Sequence, residues 1–108
     1  MRIFLKELDH KLNLFKWMTL RLLAHKYAYY ILSTNYIKDA TYDLEEKNWF
    51  RFGRELGLLA EDETSPCVGF NFNHPLAKDA ATLARYLVKP SDRAIYEALL
   101  IKYEQHPA

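Results

Sequence analysis

The stretch Tyr27-Ala28-Tyr29-Tyr30-Ile31-Leu32-Ser33-Thr34-Asn35-Tyr36-Ile37-Lys38-Asp39-Ala40-Thr41-Tyr42-Asp43 reads as the end of one helix, a turn and the start of another. Before it, Leu5, Leu8, Leu12, Phe15, Met18 and Leu22 step by three and four, and the same stripe continues through His25 to Tyr29. This spacing lines one face of an α-helix and predicts a first helical region at about 3–32, with Asp9 or Asn13 as points where it could break. Ser33-Thr34-Asn35 supplies the turn. Asp39 suits the N-cap of a second helix to about Leu59, whose last turns Gly53 and Gly57 weaken. Together these form an antiparallel helical hairpin.

Residues 60–75, with Ser65, Pro66, Gly69 and Pro75, read as an irregular connection. Two further helices are predicted at about 76–88 and, after Pro90 with Ser91 as cap, at about 92–105. With only three glycines, four prolines and no useful strand alternation, the 108 residues read as one all-α domain, a bundle of about four helices. Trp17 and Trp49 are candidate core anchors. No internal repeat, linker or low-complexity segment is visible.

Composition narrows the function classes. The apolar stretch from Leu20 to Ile31 is broken by Arg21, His25 and Lys26, short of the roughly 18 uninterrupted residues that a membrane span requires. Glu7, Asp9 and Lys11 interrupt any signal-peptide core, and Cys67 is the single cysteine, so the cytoplasm is the expected compartment. Residues 1–38 hold seven Lys/Arg against two Asp/Glu, and residues 39–67 hold three against eight. These segments are complementary, which suits an antiparallel pair. The basic excess is too thinly spread for a nucleic-acid footprint, so direct nucleic-acid binding is not expected. His10, His25, His74 and His106 lack metal-ligand spacing, and no phosphate-cradling glycine loop exists.

Asp39, Tyr42 and Asp43 fall at i, i+3 and i+4 and share one helical face, close in sequence to Tyr29 and Tyr30. Carboxylates beside electron-rich rings suit a flat cation. Each residue also has a plain structural use: Asp39 as an N-cap, the tyrosines as packing between helices, Asp43 in an ion pair with Lys26 or Lys47.

Residues 25–43 resemble the N-terminal helical domain (domain Ia) of bacterial NAD-dependent DNA ligases, which reads Tyr-x-Tyr-Tyr/His-x-x-Asp-x-Pro-x-x-x-Asp-x-Glu-Tyr-Asp and aligns without a gap. Ser65-Pro66-Cys67-Val68-Gly69 is similar to a shortened form of that family's Ser-Pro-Thr-x-x-Val-Gly. The resemblance covers roughly residues 20–70 and leaves 71–108 as an unassigned helical extension. It implies a domain that grips the nicotinamide mononucleotide (NMN) half of NAD, with Tyr29, Tyr30, Asp39, Tyr42 and Asp43 as binding residues. A separate nucleotidyltransferase domain supplies the lysine nucleophile in that family, so an adenylating or other protein partner is implied here.

Three positions depart from the pattern: Ser33 stands for Asp, Asn35 for Pro and Thr41 for Glu. The chain has no Lys-x-Asp-Gly motif, and hence no adenylation centre or catalytic residue of its own. Two functions therefore stand: an NMN- or NAD-binding module without enzyme activity of its own, and a catalytically silent protein-interaction module, such as a phage or mobile-element accessory protein, on the same scaffold.

Overall fold

The computed structural model describes residues 2–35, 37–59, 72–90 and 92–103. Four helices account for it: α1 (Arg2–Tyr30), α2 (Asp39–Glu55), α3 (Ala77–Val88) and α4 (Arg93–Lys102). The all-α, four-helix expectation holds. No strand occurs among the described residues.

Helix α1 runs through Asp9 and Asn13 without a break. Asp and Asn cost a helix interior only a fraction of a kcal/mol each, which tertiary packing readily offsets. The helix is the axis of the fold because it is apolar on two faces. One face carries Phe15, Met18 and His25 toward α2; Phe15 stacks on Trp49 at 5.5 Å and on Phe52 at 6.4 Å between ring centroids. Arg21 and His25 meet Glu45. Partner numbers fall along α2 as they rise along α1, so the two helices are antiparallel.

The second face, with Leu20, Leu23, Ala24, Tyr27 and Ala28, is buried in the core shared with Ala80, Leu83 and Ala84 of α3. Alanines on both helices let the backbones approach closely. At one end Arg85 donates a hydrogen bond to the Tyr27 hydroxyl at 2.8 Å. At the other, Leu76 and Asp79 lie beside Asn13 and Lys16, so α3 runs parallel to α1. Helix α4 returns antiparallel along α3, with Tyr86 stacked on Tyr96 at 5.0 Å and Asp79 accepting from the Tyr103 hydroxyl at 2.7 Å. Trp17 and Trp49 are both buried, as expected of core anchors.

The helix ends differ from the sequence expectation in instructive ways. Asp39 is the first helical residue, not the N-cap; Lys38 holds the cap position in extended conformation and no side chain caps it. Helix α2 stops at Glu55 instead of about 59. Gly57 adopts φ +74°, its N–H bonds Arg54 O, and the Leu58 N–H turns back to Gly53 O at 2.8 Å. That left-handed glycine reversal satisfies the terminal carbonyls and ends the helix. At α4 the cap is Asp92, whose carboxylate accepts from the Ala94 N–H at 3.0 Å. The Ser65 to Gly69 motif, including Cys67, and the expected Ser91 cap lie outside the described residues.

Among the described residues, no helix is long and apolar enough to cross a membrane.

Candidate functional site

The last two turns of α1, Thr34, Asn35 and Ile37 of the connection, and the first turn of α2 line a cleft of about 440 Å³. His25, Lys26, Tyr29 and Tyr30 reach it from α1 because residues one turn apart share a helix face. Thr34, Asn35 and Ile37 line it from the connection, and Asp39 and Tyr42 from α2. The chain can reverse here because Ser33 takes φ 52°, and the Thr34 N–H bonds back to Ala28 O at 2.9 Å.

Four of the five residues singled out from the sequence meet in this cleft: Tyr29, Tyr30, Asp39 and Tyr42. Tyr29 and Tyr30 are exposed and contact each other edge to face at 5.0 Å. The stripe expected to bury Tyr29 therefore ends before it. Asp39 accepts a long hydrogen bond from Asn35 Nδ2 at 3.4 Å. Tyr42 is half-buried; its ring meets the His25 imidazole edge-on at 5.8 Å and its hydroxyl donates to Glu46 at 3.1 Å. Asp43 is the exception. It is exposed, does not line the cleft, and forms no ion pair with Lys26 or Lys47 among the described residues.

The floor is ionic. His25, buried, places Nε2 2.6 Å from Glu45 Oε2, while Arg21 donates to Glu45 Oε1 at 2.9 Å. The hydrogen bond with His25 is the largest influence on Glu45. With the charge of Arg21 it outweighs burial and holds the carboxyl below its ordinary value.

Lys26 is the residue that the sequence reading missed. Its Nζ sits 4.8 Å from the Tyr42 ring centroid and 5.9 Å from that of Tyr30. A cation at this range is held by the ring quadrupoles. The signal was available in the spacing, since Lys26 lies three and four residues before Tyr29 and Tyr30. The ring faces expected to greet a cationic ligand are thus covered by a cation of the protein itself.

These residues fit a nicotinamide nucleotide in kind. Asp39 is an acceptor for a ribose hydroxyl, Lys26 a partner for an anionic group, and the tyrosines a surface for a planar ring. Among the described residues no group of three or more His, Cys, Asp or Glu side chains is placed to hold a metal ion. The cleft presents no activated nucleophile.

Comparison of the chain with protein-family models, with curated proteins and with solved structures finds no match.

Proposed function

We propose that this chain is a nicotinamide-nucleotide-binding module that holds NMN, or the NMN half of NAD, between the end of α1 and the start of α2. The observation that carries the reading is the convergence of Tyr29, Tyr30, Asp39 and Tyr42 on one cleft of about 440 Å³. They come from segments separated by a turn, and that volume lies in the range of small-molecule sites. Asp43, outside the cleft, is dropped from the binding set. With no nucleophile of its own, the module works with an adenylating partner in trans or binds the nucleotide without transforming it.

A second reading, a protein-interaction module, is favoured by the exposure of Tyr29 and Tyr30 at the cleft and of Ile31 and Leu44 elsewhere on α1–α2 and its connection. The two readings separate in an amide NMR titration of the chain with NMN, NAD and AMP in parallel. Saturable shifts at Tyr29, Tyr30, Asp39 and Tyr42 that are stronger with NMN and NAD than with AMP support the nucleotide site. No shift with any of the three at millimolar concentration overturns it in favour of the interaction module.

A further inference from the structure

We propose that Lys26 makes the α1–α2 cleft an anion-recognising site, so that its ligand must carry a phosphate group, as the 5′-phosphate of NMN or the diphosphate of NAD does. The inference rests on the reading of this cleft as a nucleotide site and names the group that decides its specificity.

The cations around the cleft are not equivalent. Arg21 pairs with Glu45, and His25 bonds to the same carboxylate, so the Arg21 charge is answered within the protein. Lys26 is different. Among the described residues no carboxylate pairs with it; its only partners are the faces of Tyr42 and Tyr30. The carboxylate that lines the same cleft, Asp39, takes its hydrogen bond from Asn35. Lys26 is itself partly buried. Among the described residues this ammonium has no carboxylate partner, and a cation lining a concave site favours an anion that enters it.

Ring faces hold an ammonium only weakly, whereas a phosphate group offers full negative charge and several acceptor oxygens. An entering phosphate therefore draws the Lys26 ammonium off the rings. Once the ammonium has moved, the planar base packs against the rings of Tyr30 and Tyr42. In this arrangement phosphate recognition and ring stacking are coupled through a single side chain. A nucleoside without phosphate leaves Lys26 where it is and meets a cation on the surface it needs.

The test is calorimetric titration of the whole chain with NMN, nicotinamide riboside and ribose 5-phosphate, repeated on K26M and K26R. Methionine keeps an unbranched stem against the rings without the charge, and circular dichroism melting checks that the variant folds. The expected result is that NMN binds about tenfold or more tightly than the riboside. K26M should lose that margin for both phosphorylated ligands, and K26R should keep most of it. Equal affinity for NMN and the riboside, or K26M binding NMN like the parent, overturns the role of Lys26 and leaves the nucleotide site standing. Ribose 5-phosphate binding that K26M abolishes, with the same loss for NMN but no added affinity from its nicotinamide, supports the anion site and removes the nicotinamide reading. Failure of both phosphorylated ligands to bind overturns both. Should K26M not fold, the parent chain decides: the Lys26 ε-protons, shifted upfield by the rings, should move downfield as ribose 5-phosphate is added, and their immobility contradicts the proposal.

Discussion

His25 Nε2 lies 2.6 Å from Glu45 Oε2, and this bond fastens the C-terminal half of α1 to α2 beside the cleft that His25 lines. Because the bond favours ionised Glu45, the carboxyl titrates below its ordinary value of 4.5, and the difference contributes stability that depends on pH. The contribution is complete above the unfolded carboxyl value and is lost as pH falls through the lower folded value. Glu45→Gln should destabilise the fold by about 1–3 kcal/mol near neutral pH, leaving buried His25 and Arg21 without a charged acceptor. The gap in Tm between variant and parent should narrow as pH falls below 4.5; a gap independent of pH removes this role.

Thr19 sits at a buried junction. Its hydroxyl accepts from Trp49 Nε1 at 2.7 Å and donates to Phe15 O at 2.8 Å, joining α1 to α2 at the core. Thr19→Val preserves shape and orphans the indole N–H, which should cost about 1–3 kcal/mol in denaturant unfolding. Thr19→Ser should recover most of it. Equal loss in both variants would assign the effect to packing of the methyl group.

Gly53 and Gly57 should respond differently to alanine. In an open helix, glycine to alanine gains about 1 kcal/mol. At Gly53 the added methyl would run into the Leu59 side chain and come within 2.9 Å of Phe15 Cε2, so Gly53→Ala should instead lose about 1–3 kcal/mol. At Gly57 the surroundings are open but φ is +74°, so Gly57→Ala should lose about 1–2 kcal/mol through backbone strain. Truncating Leu59 to alanine should lessen the first loss and leave the second unchanged.

The two carboxylates of the Asp-x-x-Tyr-Asp motif should separate in binding. Asp39→Asn, which removes the charge lining the cleft, should weaken NMN binding by about 1–3 kcal/mol in calorimetry. Asp43→Asn should leave affinity unchanged within about 0.5 kcal/mol, as expected of an exposed position away from the ligand. The reverse ranking would place the ligand outside the cleft.

The hairpin was legible because Leu8 to His25 repeats at helical spacing and Ser33 to Asn35 breaks it. The second apolar face of α1 was harder to see. Leu20, Leu23, Ala24, Tyr27 and Ala28 interleave with the first stripe, and a helix apolar on two sides blurs the single period that marks a face. The cap of α2 falls at Lys38, one residue before the expected Asp39, because local backbone angles choose among adjacent candidates. Spacing puts Asp39, Tyr42 and Asp43 on one face, whereas only Asp39 and Tyr42 line the cleft, since one helical face is wider than one cleft. Lys26 was hidden by its type: a lysine on an amphipathic helix reads as solvated until a ring from another helix is found beneath it.

The most direct measurement is a set of intermolecular nuclear Overhauser effects between the nicotinamide ring protons of bound NMN and the tyrosine ring protons of the chain. The expected contacts are to Tyr42 and to Tyr29 or Tyr30, with none to Tyr86, Tyr96 or Tyr103 on the far side of the bundle. Contacts confined to those distant tyrosines, or none at saturating NMN, would contradict the nucleotide site.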